Sequence, residues 1–178
     1  MSTTKHTLVA LVENKPGVLN RVASLFRRRG FNIESIAVGQ SETPQISRMT
    51  IVVDGTNTSV EQVRKQLDKL IETVKVTDIT SDNIVLRELA LIKVKATSAN
   101  RSEIIQIVDI FRANIVDVSH DSLTVEVTGD EEKLSSLCNL LNAFGIKEMC
   151  RTGRIAMTRR NNTEMKPRTS KQPGTTED

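Results

Sequence analysis

Aromatic residues are almost absent from this chain, which has no Trp, no Tyr and only four Phe among its 178 residues. Proteins that bind RNA on a β-sheet stack the bases on aromatic side chains of the strands. Here Phe26, Phe111 and Phe144 fall on the apolar faces of predicted helices, so only Phe31 lies near a predicted strand. The composition therefore argues against a sheet that binds nucleic acid.

An excess of charge of one sign is also missing from most of the chain. The formal net charge is +3, but the residues from Arg159 onward contain five basic and three acidic side chains. The preceding residues are therefore nearly neutral and lack the basic surface that a phosphate backbone requires. Three consecutive arginines, residues 27–29, lie at the predicted C-terminus of a helix, where cations are favourable. We interpret them as a solvated helix end and predict no nucleic-acid partner.

Long hydrophobic runs are absent as well. No apolar segment approaches the length that spans a bilayer, and the N-terminal segment is too short and too interrupted by charge for a secretory signal. We therefore predict a cytoplasmic protein with no membrane partner. The two cysteines, Cys138 and Cys150, are too few for a disulfide framework and lack the spacing of a metal site. We predict that both are reduced and structural.

Residue patterns that indicate catalysis are missing too. No spacing indicates a nucleophile beside a base, paired carboxylates in a cleft or a metal cluster. His6 and His120 lie at the start of a predicted strand and in a predicted turn, and we interpret both as ordinary exposed histidines. The acidic residues 130–132 fit the first turn of a helix, where the helix dipole favours negative charge. The sequence therefore predicts no catalytic residue and no metal site in this chain.

The first half of the chain predicts the element order βαββαβ. Apolar residues recur at helical spacing after Pro16 and stop before Gly30, and β-branched residues are frequent in the segments on either side. The predicted strands are residues 7–12, 31–38, 46–53 and 74–80. The first predicted helix is residues 17–29. The second starts with a capping box at Ser59, and its apolar stripe continues through Ile71 and Val74. This order is that of a ferredoxin-like domain, in which two helices cover one face of a four-stranded antiparallel sheet.

The same order returns after a polar break at residues 81–83. The predicted strands are residues 88–96, 115–118, 123–127 and 146–150, and the predicted helices begin near Asn100 and at Asp130. A weak internal repeat, Phe26-Arg27 with Asn32-Ile33 and Phe111-Arg112 with Asn114-Ile115, is a sign of duplication. We therefore predict an α+β chain of two consecutive ferredoxin-like domains, residues 5–80 and 84–158. Residues 159–178 have almost no apolar side chains and are predicted to form a disordered tail.

One stretch suits a small-molecule ligand, the loop of residues 14–19 between the first strand and the first helix. The N–H groups at a helix N-terminus are unpaired, the helix dipole is positive there, and Gly17 allows a ligand close to the backbone. Asn14 adds an amide that can accept from an ammonium group and donate to a carboxylate. Asn, Pro and Gly also form ordinary turns and caps, so the spacing alone leaves both interpretations open.

Three motifs resemble those of a known family, and the resemblance covers roughly residues 5–158. Glu13-Asn14-Lys15-Pro16-Gly17-Val18-Leu19 with Arg21-Val22 resembles the signature of ACT domains. Arg29-Gly30-Phe31-Asn32-Ile33-Glu34-Ser35 with Ser47-Arg48-Met49-Thr50-Ile51 is similar to the small regulatory subunits of acetolactate synthase, also called acetohydroxyacid synthase. Arg87-Glu88-Leu89-Ala90-Leu91-Ile92-Lys93-Val94 resembles the start of that family's second domain. The first motif indicates only an ACT domain, whereas the three together are specific to the small-subunit family.

The resemblance implies a regulatory subunit that is not itself an enzyme. Its N-terminal ACT domain would form a homodimer and bind a branched-chain amino acid, with valine expected, at the interface between the two chains. The implied effector-binding residues are Asn14, Gly17, Val18 and Leu19 of one chain and Asn32 and Ile33 of the other. The C-terminal ACT-like domain would activate a partner, the large catalytic subunit, and the whole subunit would make that partner sensitive to feedback inhibition.

The resemblance also implies what that partner does. The catalytic subunit would condense two pyruvate, or pyruvate and 2-oxobutyrate, in the biosynthesis of valine, leucine and isoleucine. Thiamine diphosphate, FAD and magnesium would belong to the catalytic subunit, and this chain would hold no cofactor. The second domain has Ser98-Ala99-Asn100-Arg101 where the first has its Pro-Gly loop, so we do not expect it to bind an amino acid in the same way. The alternative is a stand-alone ACT-type amino-acid sensor for a different metabolic enzyme.

Overall fold

The computed structural model describes residues 4–55 and 57–159, which form two antiparallel sheets. The first unit consists of β1 (Thr4–Glu13), α1 (Val18–Arg28), β2 (Ile33–Gln40), β3 (Ile46–Gly55), α2 (Asn57–Leu67) and β4 (Thr73–Asp78). The second consists of β5 (Ile84–Lys95), α3 (Arg101–Ile110), β6 (Asn114–Val118), β7 (Ser122–Gly129), α4 (Glu131–Asn142), β8 (Ile146–Arg151) and β9 (Ile155–Thr158). The strand orders are β2-β3-β1-β4 and β6-β7-β5-β8, with β9 paired to β5. The predicted pair of ferredoxin-like βαββαβ folds is confirmed.

Each sheet buries one apolar face beneath its own two helices. Leu8 and Ala10 of β1 lie in one core cluster with Phe26 of α1, and Ile92 of β5 lies in another with Leu137 of α4. Alternate residues of a strand share a face, which is why the period-two pattern of the sequence selects this face. Each half of the chain therefore has a core of its own. Within each core, burial of one large aliphatic side chain contributes roughly 1.5–3 kcal/mol to stability.

Helix α2 differs from the prediction at both ends. It begins at Asn57, so Ser59 lies inside the helix and the capping box was wrongly placed. It ends at Leu67, and the apolar stripe predicted to continue through Ile71 and Val74 is wrong, because Ile71 lies in a turn and is 91% exposed. The chain has to turn here to enter β4, and the Asp68 carboxylate fixes that return by accepting the N–H of Val76 at 3.1 Å.

Strand β5 is longer than predicted, and the short β9 was missed. Ile84–Arg87 of β5 pairs with β9, whereas the rest of β5 pairs with β7 and β8. This two-stranded extension covers part of the first sheet on the face opposite its helices, where Val9, Ile79 and Ala156 form a buried cluster against Ile84. Four residues are too few for a periodic signal, so β9 becomes visible only through its pairing.

The prediction that His6 is exposed is wrong. Its side chain is buried, and Nδ1 lies 3.3 Å from Oδ2 of Asp78. His6 occupies the same face of β1 as Leu8 and Ala10, because the strand begins at Thr4, three residues before the predicted start. His120 is exposed, as predicted.

The remaining predictions concern the cysteines, the membrane and the tail. Cys138 and Cys150 are both free; Cys138 packs partly buried against the second core, whereas Cys150 is exposed. Within the described ranges, no helix is long and apolar enough to cross a membrane. Of the predicted disordered tail, residues 160–178 lie outside the described residues, and the N–H of Arg159 donates to the carbonyl of Asn83 at 2.8 Å.

Candidate functional site

The loop of residues 14–19 joins β1 to α1 at one end of the first sheet. Gly17 is the N-cap residue, its φ is +86°, and no side chain caps the helix. No heavy atom lies within 4 Å of the position that a Cβ on Gly17 would take. The N–H of Val18 donates to the carbonyl of Lys15 at 3.4 Å. The following N–H groups of the first turn have no intrahelical acceptor and can bind an anion such as a carboxylate.

The side chains of the loop point in different directions. Val18 is buried in the first core, so any contact that it makes with an effector is through its backbone. Leu19 is 49% exposed and Asn14 is exposed, so their side chains can reach a ligand. The N–H of Asn14 donates to the carbonyl of Gln45 at 2.7 Å, which ties the loop to the turn between β2 and β3.

The charged neighbours of the loop are already paired. The Glu13 carboxylate lies 2.8 Å from Nζ of Lys15 and raises the pKa of that amine. Arg21, one turn into α1, pairs with Glu72. Neither acid presents an uncompensated charge, so an approaching carboxylate meets the helix N-terminus without a strong opposing field.

Asn32 and Ile33 do not meet this loop within one chain. They follow the C-terminal end of α1, whose eleven residues at a rise of about 1.5 Å each span about 16 Å. The strand register agrees, because Glu13 pairs with Ile46 whereas Ile33 pairs with Val53 at the opposite end of β3. The six predicted effector residues therefore form two separate groups at opposite ends of the first sheet.

Two grooves lie elsewhere, and none of the six predicted effector residues lines either of them. One of about 460 Å³ lies between the first sheet and the β5–β9 extension, with Ala37, Val38, Ile155 and Met157 among its lining. The other, of about 390 Å³, lies where the segment between β8 and β9 crosses β2. Both grooves therefore lie away from the predicted effector residues.

The corresponding corner of the second domain is occupied by its own side chains. Oδ1 of Asn100 accepts the N–H of Thr97 at 2.6 Å, and Nη2 of Arg101 donates to the carbonyls of Ser119 and His120 at 2.8 and 2.9 Å. The amide and the guanidinium that could bind a ligand there are therefore engaged in internal hydrogen bonds. The expectation that the second domain does not bind an amino acid as the first would stays a prediction.

Sequence reasoning missed a group of charged residues between the domains. Nη2 of Arg154 lies 2.7 Å from Oε1 of Glu34 and 2.8 Å from Oε1 of Glu131, and the Arg154 side chain is only 8% exposed. Nζ of Lys5 contacts the same two carboxylates at 2.9 and 3.0 Å. Lys5 and Glu34 belong to the first sheet, whereas Glu131 opens α4 of the second domain. No local spacing could reveal a ring whose members are up to 149 residues apart in the sequence.

Among residues 4–55 and 57–159, no group of three or more His, Cys, Asp or Glu side chains is arranged to hold a metal ion. The ion pair of the buried Glu88 with the exposed Arg151 joins β5 to β8 and raises the pKa of the guanidinium. We interpret that pair as structural because it links two neighbouring strands.

Comparisons with known proteins agree with this architecture over nearly the whole described chain. Residues 8–75 match the model of the AHAS small subunit-like ACT domain, and residues 87–160 match the model described as the small subunit of acetolactate synthase. An Archaeoglobus fulgidus protein named "Probable acetolactate synthase small subunit" is 60% identical over 157 residues, which cover 88% of this chain and 98% of that protein. The acetolactate synthase small subunit of Mycobacterium bovis is 54% identical over 159 residues, covering 89% and 95%.

A solved structure supports the same assignment. The small subunit of acetolactate synthase from Thermotoga maritima superposes with a TM-score of 0.82 at 47% identity, over 89% of this chain and 99% of that one. Both halves of the sequence, their order and their fold thus match one family. The chain belongs to the family of acetolactate synthase small subunits.

Proposed function

We propose that this chain is the non-catalytic, cytoplasmic regulatory subunit of acetolactate synthase. It binds a large catalytic subunit, raises that subunit's activity and makes it sensitive to feedback inhibition by valine or another branched-chain amino acid. Thiamine diphosphate, FAD and magnesium belong to the catalytic subunit, which condenses pyruvate with a second 2-oxo acid. The observation that carries the proposal is family membership over both domains, together with an open helix N-terminus at Gly17.

The geometry supports an effector site shared by two copies of the chain. Strand β2 is an edge strand of the first sheet, and an edge strand can pair with a strand of another copy. If two β2 strands pair antiparallel about a two-fold axis, the start of one strand faces the end of the other. Ile33 of a second copy then lies near Gln40, at the same end of the sheet as the loop around Asn14 and Gly17.

The chemistry of the two groups complements an α-amino acid. The carboxylate would accept N–H groups at the start of α1, and the ammonium group would donate to Oδ1 of Asn14. The exposed Leu19 would provide an apolar wall. The residues Asn32 and Ile33 of the second copy would close the site, so binding would depend on the dimer.

Regulation then follows from differential binding. An effector shifts the complex only if it binds one quaternary arrangement better than another. A coupling free energy on the order of 1–3 kcal/mol between effector and catalytic subunit is enough for strong inhibition. The assignment of effector binding to the first domain and activation to the second remains a prediction.

Calorimetric titration of the purified subunit with valine tests the site. Asn14→Ala removes the ammonium acceptor and should weaken valine binding about tenfold, the equivalent of about 1.4 kcal/mol. Asn142→Ala changes an equally exposed asparagine at the end of α4 and is the matched control, with wild-type affinity expected. Equal affinities in all three proteins would contradict the placement of the site. Leucine and isoleucine titrations, repeated with the catalytic subunit present, show which effector is preferred.

Co-purification tests the partner and separates this proposal from a stand-alone sensor. A large thiamine-dependent subunit should purify with this chain and gain activity from it. Acetolactate formation by this chain alone would contradict the non-catalytic assignment. Amino-acid binding without any interaction with such a subunit would favour a sensor that serves another enzyme.

A further inference from the structure

We propose that residues 152–154, here named the clasp turn, carry the effector signal from strand β2 to the second domain. The inference rests on the proposed function, because it starts from effector contacts at Asn32 and Ile33. It concerns a different part of the chain, the connection between β8 and β9. The clasp turn acts together with the charged ring of Lys5, Glu34, Glu131 and Arg154.

The clasp turn grips β2 through its backbone. The N–H of Arg154 donates to Oγ of Ser35 at 2.8 Å. Gly153 has a φ of +79°, and a Cβ there would lie 2.9 Å from Oγ of Ser35 and 3.0 Å from the carbonyl oxygen of Ile36. Only a glycine lets the two backbones approach this closely. The turn therefore follows any displacement of β2 at these positions.

The charged ring connects β2 to helix α4 through ion pairs. Arg154 bridges Glu34 on β2 and Glu131 in the first turn of α4, and Lys5 on β1 contacts both carboxylates. Two positive and two negative groups alternate around the ring, so movement of Glu34 changes the contacts of every other member. The guanidinium is largely shielded from water, so the loss of one of its two carboxylate partners leaves a buried charge with less compensation, which is costly.

The contacts of β2 with the charged ring and the clasp turn begin at Glu34, one residue after the predicted effector contacts. Asn32 and Ile33 directly precede Glu34 and Ser35, so about 7 Å of strand separates Ile33 from Ser35 at roughly 3.3 Å per residue. The β2–β3 ladder shifts register between Ile33 and Ser35, which leaves Glu34 outside the regular pairing. Bulges redirect side chains and are the adjustable points of a sheet. An effector that contacts Ile33 therefore acts beside the register shift between Ile33 and Ser35, and the same part of β2 contacts the clasp turn.

Other contacts between the domains do not use the clasp turn or the charged ring. Val9, Ile79 and Ala156 bury apolar surface with Ile84 beneath the first sheet. Nη2 of Arg48 donates to the carbonyl of Ala156 at 2.9 Å. These contacts do not involve Glu34 or the clasp turn, so they should hold the domains together when the clasp is altered. Loss of the clasp should uncouple the domains rather than separate them.

Two variants are compared, Arg154→Met and the control Arg64→Met, which removes two arginine–carboxylate pairs confined to α2 and the residue after it. Valine affinity is measured by calorimetry on the free full-length subunit, and activation and inhibition are measured with the catalytic subunit. Arg154→Met should bind valine within about threefold of wild type and still activate. Its half-inhibitory valine concentration should rise about tenfold or more, within the range of ordinary allosteric couplings. Arg64→Met should behave as wild type.

A second measurement does not need the catalytic subunit, so it remains informative if a variant disturbs assembly with that subunit. Hydrogen exchange should show that valine slows amide exchange across residues 131–134 and 152–158 in wild type and in Arg64→Met, but not in Arg154→Met. Glu34→Gln should reproduce this loss, and the effects of the two changes should be less than multiplicative in the double variant, because both remove the Arg154–Glu34 pair.

The outcomes separate the inference from the proposed function. Wild-type protein that neither binds valine nor confers inhibition overturns the proposed function, and the inference with it. Normal valine binding with wild-type inhibition and exchange in Arg154→Met overturns the clasp alone. Multiplicative effects of Glu34→Gln and Arg154→Met would also overturn it, since they would show that the two residues act independently.

Discussion

Gly17 is the residue of the candidate site whose identity the backbone itself requires. Its φ of +86° lies in the left-handed region that side chains of L-residues rarely adopt. The space around it is open, so a substitution meets backbone strain rather than a steric clash. The absent side chain also leaves the start of α1 accessible, and one residue thus determines both the loop conformation and its openness.

Gly17→Ala should lower the free energy of unfolding by about 1 kcal/mol, which corresponds to roughly 2–4 °C in Tm for a chain of this size. Thermal unfolding followed by circular dichroism measures the change. Gly39→Ala is the matched control, because a Cβ there also meets no atom within 4 Å and no positive φ is involved. Equal losses in the two variants would contradict the strain argument.

At the scale of elements, β2 combines three features that its sequence does not reveal. It is an edge strand of the first sheet, it contains a register shift next to Glu34, and the clasp turn contacts it. Val38, near its end, pairs with Met49 of the core face and is nevertheless 48% exposed. An exposed apolar residue on a free edge is a favourable place for a second strand to pair.

Val38→Lys should therefore convert the proposed dimer to monomers and weaken valine binding, because a charge on the edge opposes strand pairing. Sedimentation velocity at several protein concentrations measures the oligomeric state, and calorimetry measures the affinity. Val116→Lys is the control, since Val116 is 52% exposed on β6, the edge strand of the second sheet. If Val116→Lys dissociates the dimer and Val38→Lys does not, the interface lies in the second domain.

At the scale of the whole molecule, two cores are joined by the β5–β9 extension and by the charged ring. The apolar part of this junction is insensitive to pH, whereas the ring contains titratable carboxylates. The hydrogen bond from Lys5 holds the pKa of Glu131 below its ordinary value of 4.5. A depressed pKa means that the folded state favours the ionised carboxylate, so its contribution to stability is present above pH 4.5 and is lost as the pH falls further.

Wild-type protein should therefore lose Tm as the pH falls from about 5 to 3, with part of that loss due to Glu131. Glu131→Gln should be less stable than wild type near pH 7 and should show a shallower decline over this range. Glu61, whose pKa Arg64 lowers to about 2, contributes in the same direction and is retained in both proteins. Glu132→Gln, in the same helical turn, is the control. A parallel decline in wild type and Glu131→Gln would contradict a role for the ring.

Most of the fold was predictable because its signals are local. The apolar periodicity of α1, the continuous apolar run of β1 and the alternation along β3 are local signals, and Phe26, Leu8 and Met49 are buried in the first core. Asp130 was predicted to open a helix, and its carboxylate does accept the N–H of Lys133 at 2.9 Å. The end of α2 was missed because apolar residues in the following turn and strand continued a helical spacing by coincidence.

The sequence by itself determined the two βαββαβ units, the glycine-containing loop before α1 and, through its three motifs, the family. These features depend on residues a few positions apart, which is the range over which periodicity and capping act. Only the tertiary structure decided that Asn14 and Asn32 lie at opposite ends of one sheet, that His6 is buried and that Arg154 joins Glu34 to Glu131. Those facts depend on contacts between distant segments, and their free energy comes from pairing and desolvation that no local pattern records.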